Sequence, residues 1–326
     1  MKIGVVGGGA WGTALAQAAA SGGEPVFLWA REPEVVASVN AERVNALFLP
    51  GIPLAPAVRA TGDMADLTSC EALLIVSPAQ HMRSVLAGLP AGERPLVLCS
   101  KGIEEASGKM MHEVAHEARP GAPLAVLSGP TFAHEVAKGL PAAVTLATED
   151  AAVAEALAQR LSGPAFRPYL SDDVVGAEVG GAVKNVLAIA CGVVEGMGLG
   201  LNARAALISR GFAEMTRFGL AKGARPETLA GLSGLGDLVL TCSSTNSRNF
   251  SLGVGLGQGR SAAELLSDRR TVAEGAFTAP VLHRVADEAG VEMPIVAAVC
   301  ALLDGSATAK DVVGGLLARP LKSEGV

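Results

Sequence analysis

The sequence predicts an α/β protein with a mostly parallel sheet in its N-terminal half and an all-helical second domain. Three observations predict it. Short apolar runs alternate with helical patterns from residue 2 to about residue 170. A glycine-rich turn, Gly7-Gly8-Gly9-Ala10-Trp11-Gly12, joins the first run to the first helical pattern. The strand signal then stops after Leu170. Alternation of this kind builds parallel sheets covered by helices on both faces.

The runs are Lys2 to Val6, Pro25 to Trp29, Ala72 to Val76, Pro95 to Cys99, Leu124 to Leu127, Ala142 to Ala147 and Phe166 to Leu170. Each is apolar on consecutive positions, as strands buried on both faces are. Helices are expected between them over Ala10 to Ala20, Lys109 to Ala118 and Ala151 to Leu161. Beyond Leu170 come Ala/Leu/Val-rich helical patterns over Gly176 to Gly196, Ala203 to Phe218, Ala262 to Leu266, Ala279 to Ala289 and Ile295 to Leu303. Pro226, Pro280, Pro294, Pro320 and a glycine-rich segment from Gly231 to Gly259 punctuate them. The domains are expected over residues 1–175 and 176–326, with disorder confined to Ser323 to Val326.

The turn matches G-x-G-x-x-G, with Gly7, Gly9 and Gly12 at its three glycine positions. A strand enters it, a helix leaves it, Ser21-Gly22-Gly23 stops that helix and a second strand follows. This is a Rossmann-type dinucleotide unit. Gly7 allows a tight turn, Gly9 lets the backbone approach a pyrophosphate and Gly12 lets helix and strand pack closely. The diphosphate rests on free N–H groups at the positive end of the helix dipole. The second strand ends Trp29-Ala30-Arg31-Glu32. A carboxylate there suits the adenosine 2′-hydroxyl of NAD, and an arginine suits the 2′-phosphate of NADP. Arg31 favours NADP(H), and a one-residue shift to Glu32 favours NAD(H). Loops at Ser77-Pro78-Ala79, Ser100-Lys101-Gly102 and Ser128 to Ala133 follow later strands, at the carboxyl ends where ligands bind.

The composition narrows the partners. Of the 326 residues, 50% are hydrophobic and only 3% aromatic, and the net charge is −6. An acidic chain poor in aromatic rings has neither the basic face nor the stacking platforms that nucleic acids require. Cys70, Cys99, Cys191, Cys242 and Cys300 are odd in number and widely spaced, which fits reduced thiols in a cytoplasmic protein. The N-terminus opens directly into a strand, without a charged leader. The longest apolar stretch, around Val183 to Val194, is interrupted by Lys184 and Asn185 and reads as too short and too polar to cross a bilayer. His112 and His116 are four residues apart on a helix, but no third ligand accompanies them, and no metal is expected.

Two stretches carry chemistry. In Gly180 to Gly192 a lysine and an asparagine, Lys184 and Asn185, stand among small and apolar residues. An ammonium buried there needs partners, and burial lowers a lysine's pKa toward neutrality, which suits general acid–base work. From Gly234 to Asp237 and then Thr241 to Asn249, hydroxyls, amides and Arg248 are concentrated in an expected loop. That composition suits a phosphate or polyol, with Arg248 as a fork-shaped donor.

Together these segments resemble the bacterial NAD(P)-dependent glycerol-3-phosphate dehydrogenases, in the family's order and over nearly the whole chain. The residues that carry the resemblance are the Gly7 to Gly12 turn, the loops at Ser100 and Ser128, Gly181 to Gly192, Gly234 to Cys242 and Ser247-Arg248-Asn249. The resemblance implies interconversion of dihydroxyacetone phosphate and sn-glycerol 3-phosphate, feeding glycerophospholipid synthesis. It implies Lys184 as the general acid/base. Substrate contacts fall to Lys101, Gly129, Thr131, Asp237, Ser247, Arg248 and Asn249. Cofactor contacts fall to Gly7, Gly9, Ala10, Trp11, Gly12, Arg31, Lys101, Ala133, Arg248, Val272 and Glu274. Ala10 stands where many relatives carry a small hydroxyl residue, so that side-chain hydrogen bond is missing here. The expected partners are a small phosphorylated substrate and a second copy in a homodimer, with neither nucleic acid nor membrane insertion. Two other readings share parts of the pattern. A 6-phosphogluconate or β-hydroxyacid dehydrogenase has the same plan and a helix-borne lysine, and a non-catalytic NADP-sensing module needs only the glycine turn.

Overall fold

The computed structural model describes residues 1–267 and 273–320. The chain divides into two units, residues 1–101 with 110–177, and residues 102–109 with 178–326. The sequence predicts residues 102–109 in the first domain. They group with the second unit instead, where Arg284 Nη2 donates to the Glu105 carbonyl at 3.2 Å. Val272 and Ser323 to Val326 lie outside the described residues.

The first unit holds eight strands: β1 (Ile3–Val6), β2 (Val26–Trp29), β3 (Val58–Thr61), β4 (Ala72–Ile75), β5 (Leu96–Leu98), β6 (Leu124–Ser128), β7 (Ala142–Ala147) and β8 (Phe166–Ser171). They form one sheet in the order β3-β2-β1-β4-β5-β6-β7-β8. Neighbours run parallel except β6 and β7, which pair antiparallel. The chain leaves β1 toward β2 and β3, then returns to place β4 on the other side. That reversal makes a crevice at the carboxyl ends of β1 and β4, where such sheets bind ligands.

The helices of this unit are α1 (Ala10–Ala19), α2 (Pro33–Glu42), α3 (Met82–Ala87), α4 (Met111–Ala118), α5 (Ala133–Ala137) and α6 (Ala151–Leu161). Strand residues alternate between two apolar cores because strand side chains alternate between faces. Val26, Leu28, Ala72 and Leu74 join Leu15 of α1, Val35 of α2 and Leu157 of α6 on one face. Leu73, Ile75, Leu96 and Leu98 join Met82 and Leu86 of α3 and Val114 of α4 on the other. One strand, β3, was missed. It is an edge strand of four residues with the exposed Arg59 in its run, so it lacks the doubly buried signature of the others.

Among its described residues the second unit, apart from the non-helical residues 102–109, has helices as its ordered elements. It takes most of α7 (Val174–Gly196), then α8 (Gly200–Ala221), α9 (Pro226–Leu229), α10 (Asp237–Thr241), α11 (Arg248–Gly257), α12 (Ala262–Leu265), α13 (Glu274–Glu288), α14 (Pro294–Leu303) and α15 (Ala309–Leu317). Two expectations are corrected. The segment from Gly231 to Gly259, expected to punctuate the helices, is itself largely helical: it holds a π-helical turn at Leu232–Gly236, then α10 and α11. Its glycines serve close helix contact, since a Cβ on Gly253 would collide with the Ile189 carbonyl of α7. Pro280 does not break a helix but lies inside α13, which begins five residues earlier than expected. Helix α7 is also longer than the sequence suggested. It is long and apolar enough to cross a membrane, yet 89% of its apolar window is buried inside the protein, as in a core helix.

Candidate active site

In the first unit the backbone builds the site. Gly7 opens the turn after β1 with φ +130°, a conformation that disfavours any side chain. A Cβ on Gly12 would strike the Gly7 carbonyl oxygen, so α1 can start only because residue 12 has none. Gly9 is the N-cap of α1, and a Cβ built there meets nothing within 4 Å. The space beside Gly9 is therefore open, at the end of a helix whose first N–H groups have no intrahelical acceptor. Trp11 Nε1, Ser77 Oγ and Ser128 Oγ are buried polar atoms without a hydrogen-bond partner among the described residues. Such atoms are uncommon, and their place in the first turn of α1 and just beyond or at the ends of β4 and β6 suits a polar ligand. A dinucleotide fits this donor set.

The loops at the carboxyl ends are tied to one another. Ser100 Oγ donates to the Ser77 carbonyl at 2.5 Å, joining the loops after β4 and β5. Lys101 Nζ donates to the Gly129 carbonyl at 3.3 Å, and Thr131 Oγ1 donates to the same oxygen at 3.3 Å. Lys101, Gly129 and Thr131 thus form one polar cluster, and Ala133 begins α5 beside it. Arg31 lies just beyond β2. Its side chain is 80% exposed and pairs with Glu32 at 2.8 Å, so the two rival ribose partners hold each other.

In the second unit side chains build the site. Lys184 sits in the body of α7 and its side chain is 8% exposed. Nζ donates to Asp237 Oδ1 at 2.6 Å and to Thr241 Oγ1 at 3.0 Å. Asp237 is fully buried and begins α10, and Thr241 is one turn further on the same face. The resemblance places Asp237 against substrate; in the structure its carboxylate also holds the lysine. Beside this pair is Cys242, whose thiol is pushed well above its usual range by a hydrogen bond to Cys191 and by burial.

The remaining expected residues divide. Ser247 caps α11, its Oγ accepting from the Phe250 N–H at 3.2 Å. Asn249 is buried, with Nδ2 on Asn185 Oδ1 at 3.0 Å and Oδ1 accepting from the Gly275 N–H at 2.9 Å. It braces α7 and α11 against the start of α13, next to Glu274. Arg248 is exposed in the first turn of α11 rather than in a loop. Thr241 stands in the sequence only as one hydroxyl of the polar stretch to Asn249. The signal was present: an acidic and a hydroxyl residue at i and i+4 in a run that turns out to be helical. Among the described residues no group of three or more His, Cys, Asp or Glu could hold a metal ion.

Comparison with known proteins agrees over both units. Residues 2–154 match the family model for the N-terminus of NAD-dependent glycerol-3-phosphate dehydrogenase, and residues 173–314 match the C-terminus model. A glycerol-3-phosphate dehydrogenase [NAD(P)+] of Erythrobacter litoralis is 64% identical over 99% of this chain and 98% of its own length. One from Sphingopyxis alaskensis is 62% identical over the same shares. The crystal structure of glycerol-3-phosphate dehydrogenase from Coxiella burnetii superposes with a TM-score of 0.93 at 39% identity, covering 98% of this chain and 99% of that one. These matches do not favour the hydroxyacid-dehydrogenase or cofactor-sensor readings.

Proposed function

The chain belongs to the NAD(P)-dependent glycerol-3-phosphate dehydrogenase family and is an oxidoreductase interconverting dihydroxyacetone phosphate and sn-glycerol 3-phosphate, and we propose that Lys184 moves the proton in that reaction. The observation that carries the proposal is the buried Lys184 ammonium held by Asp237 and Thr241 in an otherwise apolar helix. The nicotinamide, when bound, supplies or accepts hydride at the substrate's central carbon. In the reducing direction negative charge grows on the carbonyl oxygen. Lys184 stabilises that charge and gives up its proton; in the oxidising direction it takes the proton back. Asp237 keeps Nζ aimed, and the Thr241 hydroxyl fixes a second of its hydrogens. The product feeds glycerophospholipid synthesis.

Substrate contacts are assigned to Lys101, Gly129, Thr131, Asp237, Ser247, Arg248 and Asn249. Lys101 and Arg248 are the cations suited to a phosphate, and an oriented phosphate fixes the reacting carbon. The cofactor turn is Gly7 to Gly12, with Arg31 past β2 favouring the 2′-phosphate of NADP(H). We also assign a homodimer, supported by Leu199 and Leu201, 41% and 68% exposed at the start of α8. A monomer in sedimentation overturns that assignment.

The test is the rate of NADPH and NADH oxidation with dihydroxyacetone phosphate by the wild type and Lys184→Ala. Turnover is expected to fall by about 10²–10⁴-fold, the range for a lost general acid. Wild-type turnover in the variant removes Lys184 from the chemistry.

A further inference from the structure

The dinucleotide turn is held from behind by a side chain that belongs to neither the motif nor its helix. Asn45 follows α2, in a segment redirected by Arg43 in the left-handed region at φ 59°. It is fully buried. Its Nδ2 donates to the Gly8 carbonyl at 2.8 Å and to Thr13 Oγ1 at 2.7 Å, and its Oδ1 accepts from the Phe48 N–H at 3.0 Å. Thr13 Oγ1 lies 3.4 Å from the same Gly8 carbonyl and can donate to it. Thr13 is also fully buried.

What this does follows from peptide geometry. A trans peptide is planar, and no cis bond occurs here, so the Gly8 carbonyl and the Gly9 N–H point in opposite directions. Fixing the carbonyl inward on Asn45 aims the Gly9 N–H the other way. Between two glycines such a plane flips easily, because neither residue has a Cβ to forbid the alternative dihedrals. Gly8 cannot be exchanged for a stiffer residue, since a Cβ there would collide with that of Ala30. The triplet that lets the backbone approach a diphosphate thus also leaves its first amide free to turn away. A flipped plane would point a carbonyl dipole at the phosphates.

We propose that Asn45, with Thr13, is a positioning residue for the cofactor: it locks the Gly8–Gly9 peptide so that the Gly9 N–H faces the bound diphosphate. The proposal rests on reading Gly7 to Gly12 as the dinucleotide site. Asn45→Asp keeps the shape and the Phe48 contact but removes both donors and sets a carboxylate against the Gly8 carbonyl. Thr13→Val keeps the shape and removes one arm of the lock.

The experiment measures binding of NADPH, of ADP-ribose and of adenosine 2′-monophosphate, which lacks the diphosphate, alongside melting temperature and steady-state kinetics. Asn45→Asp is expected to weaken NADPH and ADP-ribose by about ten- to a hundredfold, as loss of buried hydrogen bonds predicts. The monophosphate is expected to be unaffected, as are kcat at saturating cofactor and the KM for dihydroxyacetone phosphate. A general loosening of the fold would not select ligands by their diphosphate. Thr13→Val is expected to shift the same two ligands by about three- to tenfold and carries the test alone if Asn45→Asp does not fold. Gly9→Val is the control for the site itself, because a side chain there meets only open space in the protein. If Gly9→Val leaves NADPH binding intact, the site reading fails. If Gly9→Val abolishes binding while a folded Asn45→Asp or Thr13→Val binds all three ligands as the wild type does, the lock alone is overturned.

Discussion

The glycine turn of the first unit and the lysine centre of the second solve the same problem, placing donors against negative charge, by opposite means. The turn uses backbone N–H groups, and its requirement is the absence of side chains at Gly7, Gly9 and Gly12. The lysine centre uses one side chain fixed by two others, Asp237 and Thr241, which lie 53 and 57 residues further along the chain. A backbone site is broken by adding a methyl group; a side-chain site is broken by removing a partner.

The largest expected effect separates the two most cleanly. Lys184→Ala should lose about 10²–10⁴ in turnover and bind NADPH as the wild type does. Equal losses in turnover and in cofactor affinity would mean that the two regions do not divide the work. Next comes Asp237→Asn. It leaves a buried ammonium without its counter-charge, and breaking such a pair destabilises by about 3 kcal/mol or more. A lower melting temperature with a further loss of turnover is expected. An unchanged melting temperature would show that the carboxylate is not what holds Lys184.

The same contrast explains what the sequence disclosed. The turn was legible because its constraints are local: five consecutive positions after Gly7, a strand before them and a helix after. Lys184 was legible as an anomaly, a charge in an apolar helix, but its partners were not. Nothing in the sequence says that Asp237 and Thr241 of α10 meet Lys184 of α7. The glycine-rich stretch from Gly231 to Gly259 misled for a related reason. Glycines there permit helices to touch, and a single sequence does not distinguish glycine for contact from glycine for a turn. Helix α15 was missed although Thr308 and Asp311 form a capping box at its start. The edge strand β3 was missed because an exposed edge has no doubly buried run. Asn45 was invisible, being one polar residue after a helix, and only the fold brings it under Gly8.

A smaller effect tests specificity at the backbone site. Arg31 is exposed and already paired with Glu32, so its value to a 2′-phosphate is that of one charge-assisted contact. Arg31→Ala should raise the KM for NADPH by about tenfold and leave that for NADH unchanged. If both constants stay put, the choice of cofactor does not depend on Arg31.

The smallest expected effect sets the Lys184–Asp237 pair beside a buried carboxyl group with no salt-bridge partner among the described residues. Glu214 on α8 is 2% exposed, and its carboxylate accepts from the Ile295 N–H at 2.8 Å and the Val296 N–H at 3.4 Å, at the start of α14. Burial pushes its pKa up to about 7 from 4.5, against the lowering effect of those two N–H groups and of Arg217 and Arg319. The folded state therefore holds this proton more tightly than the unfolded chain does. The stability it contributes is full below the unfolded value and is lost as pH rises through about 7. Glu214→Gln keeps an acceptor for Ile295 and removes the charge. Because a neutral amide accepts more weakly, its net gain should be on the order of 1 kcal/mol at about pH 8 and vanish in mild acid. Denaturant unfolding at both pH values measures it. A variant less stable at the higher pH would mean that the helix-capping carboxylate outweighs its desolvation, and that α14 is held by the same kind of charge-to-backbone contact that the glycine turn offers a phosphate.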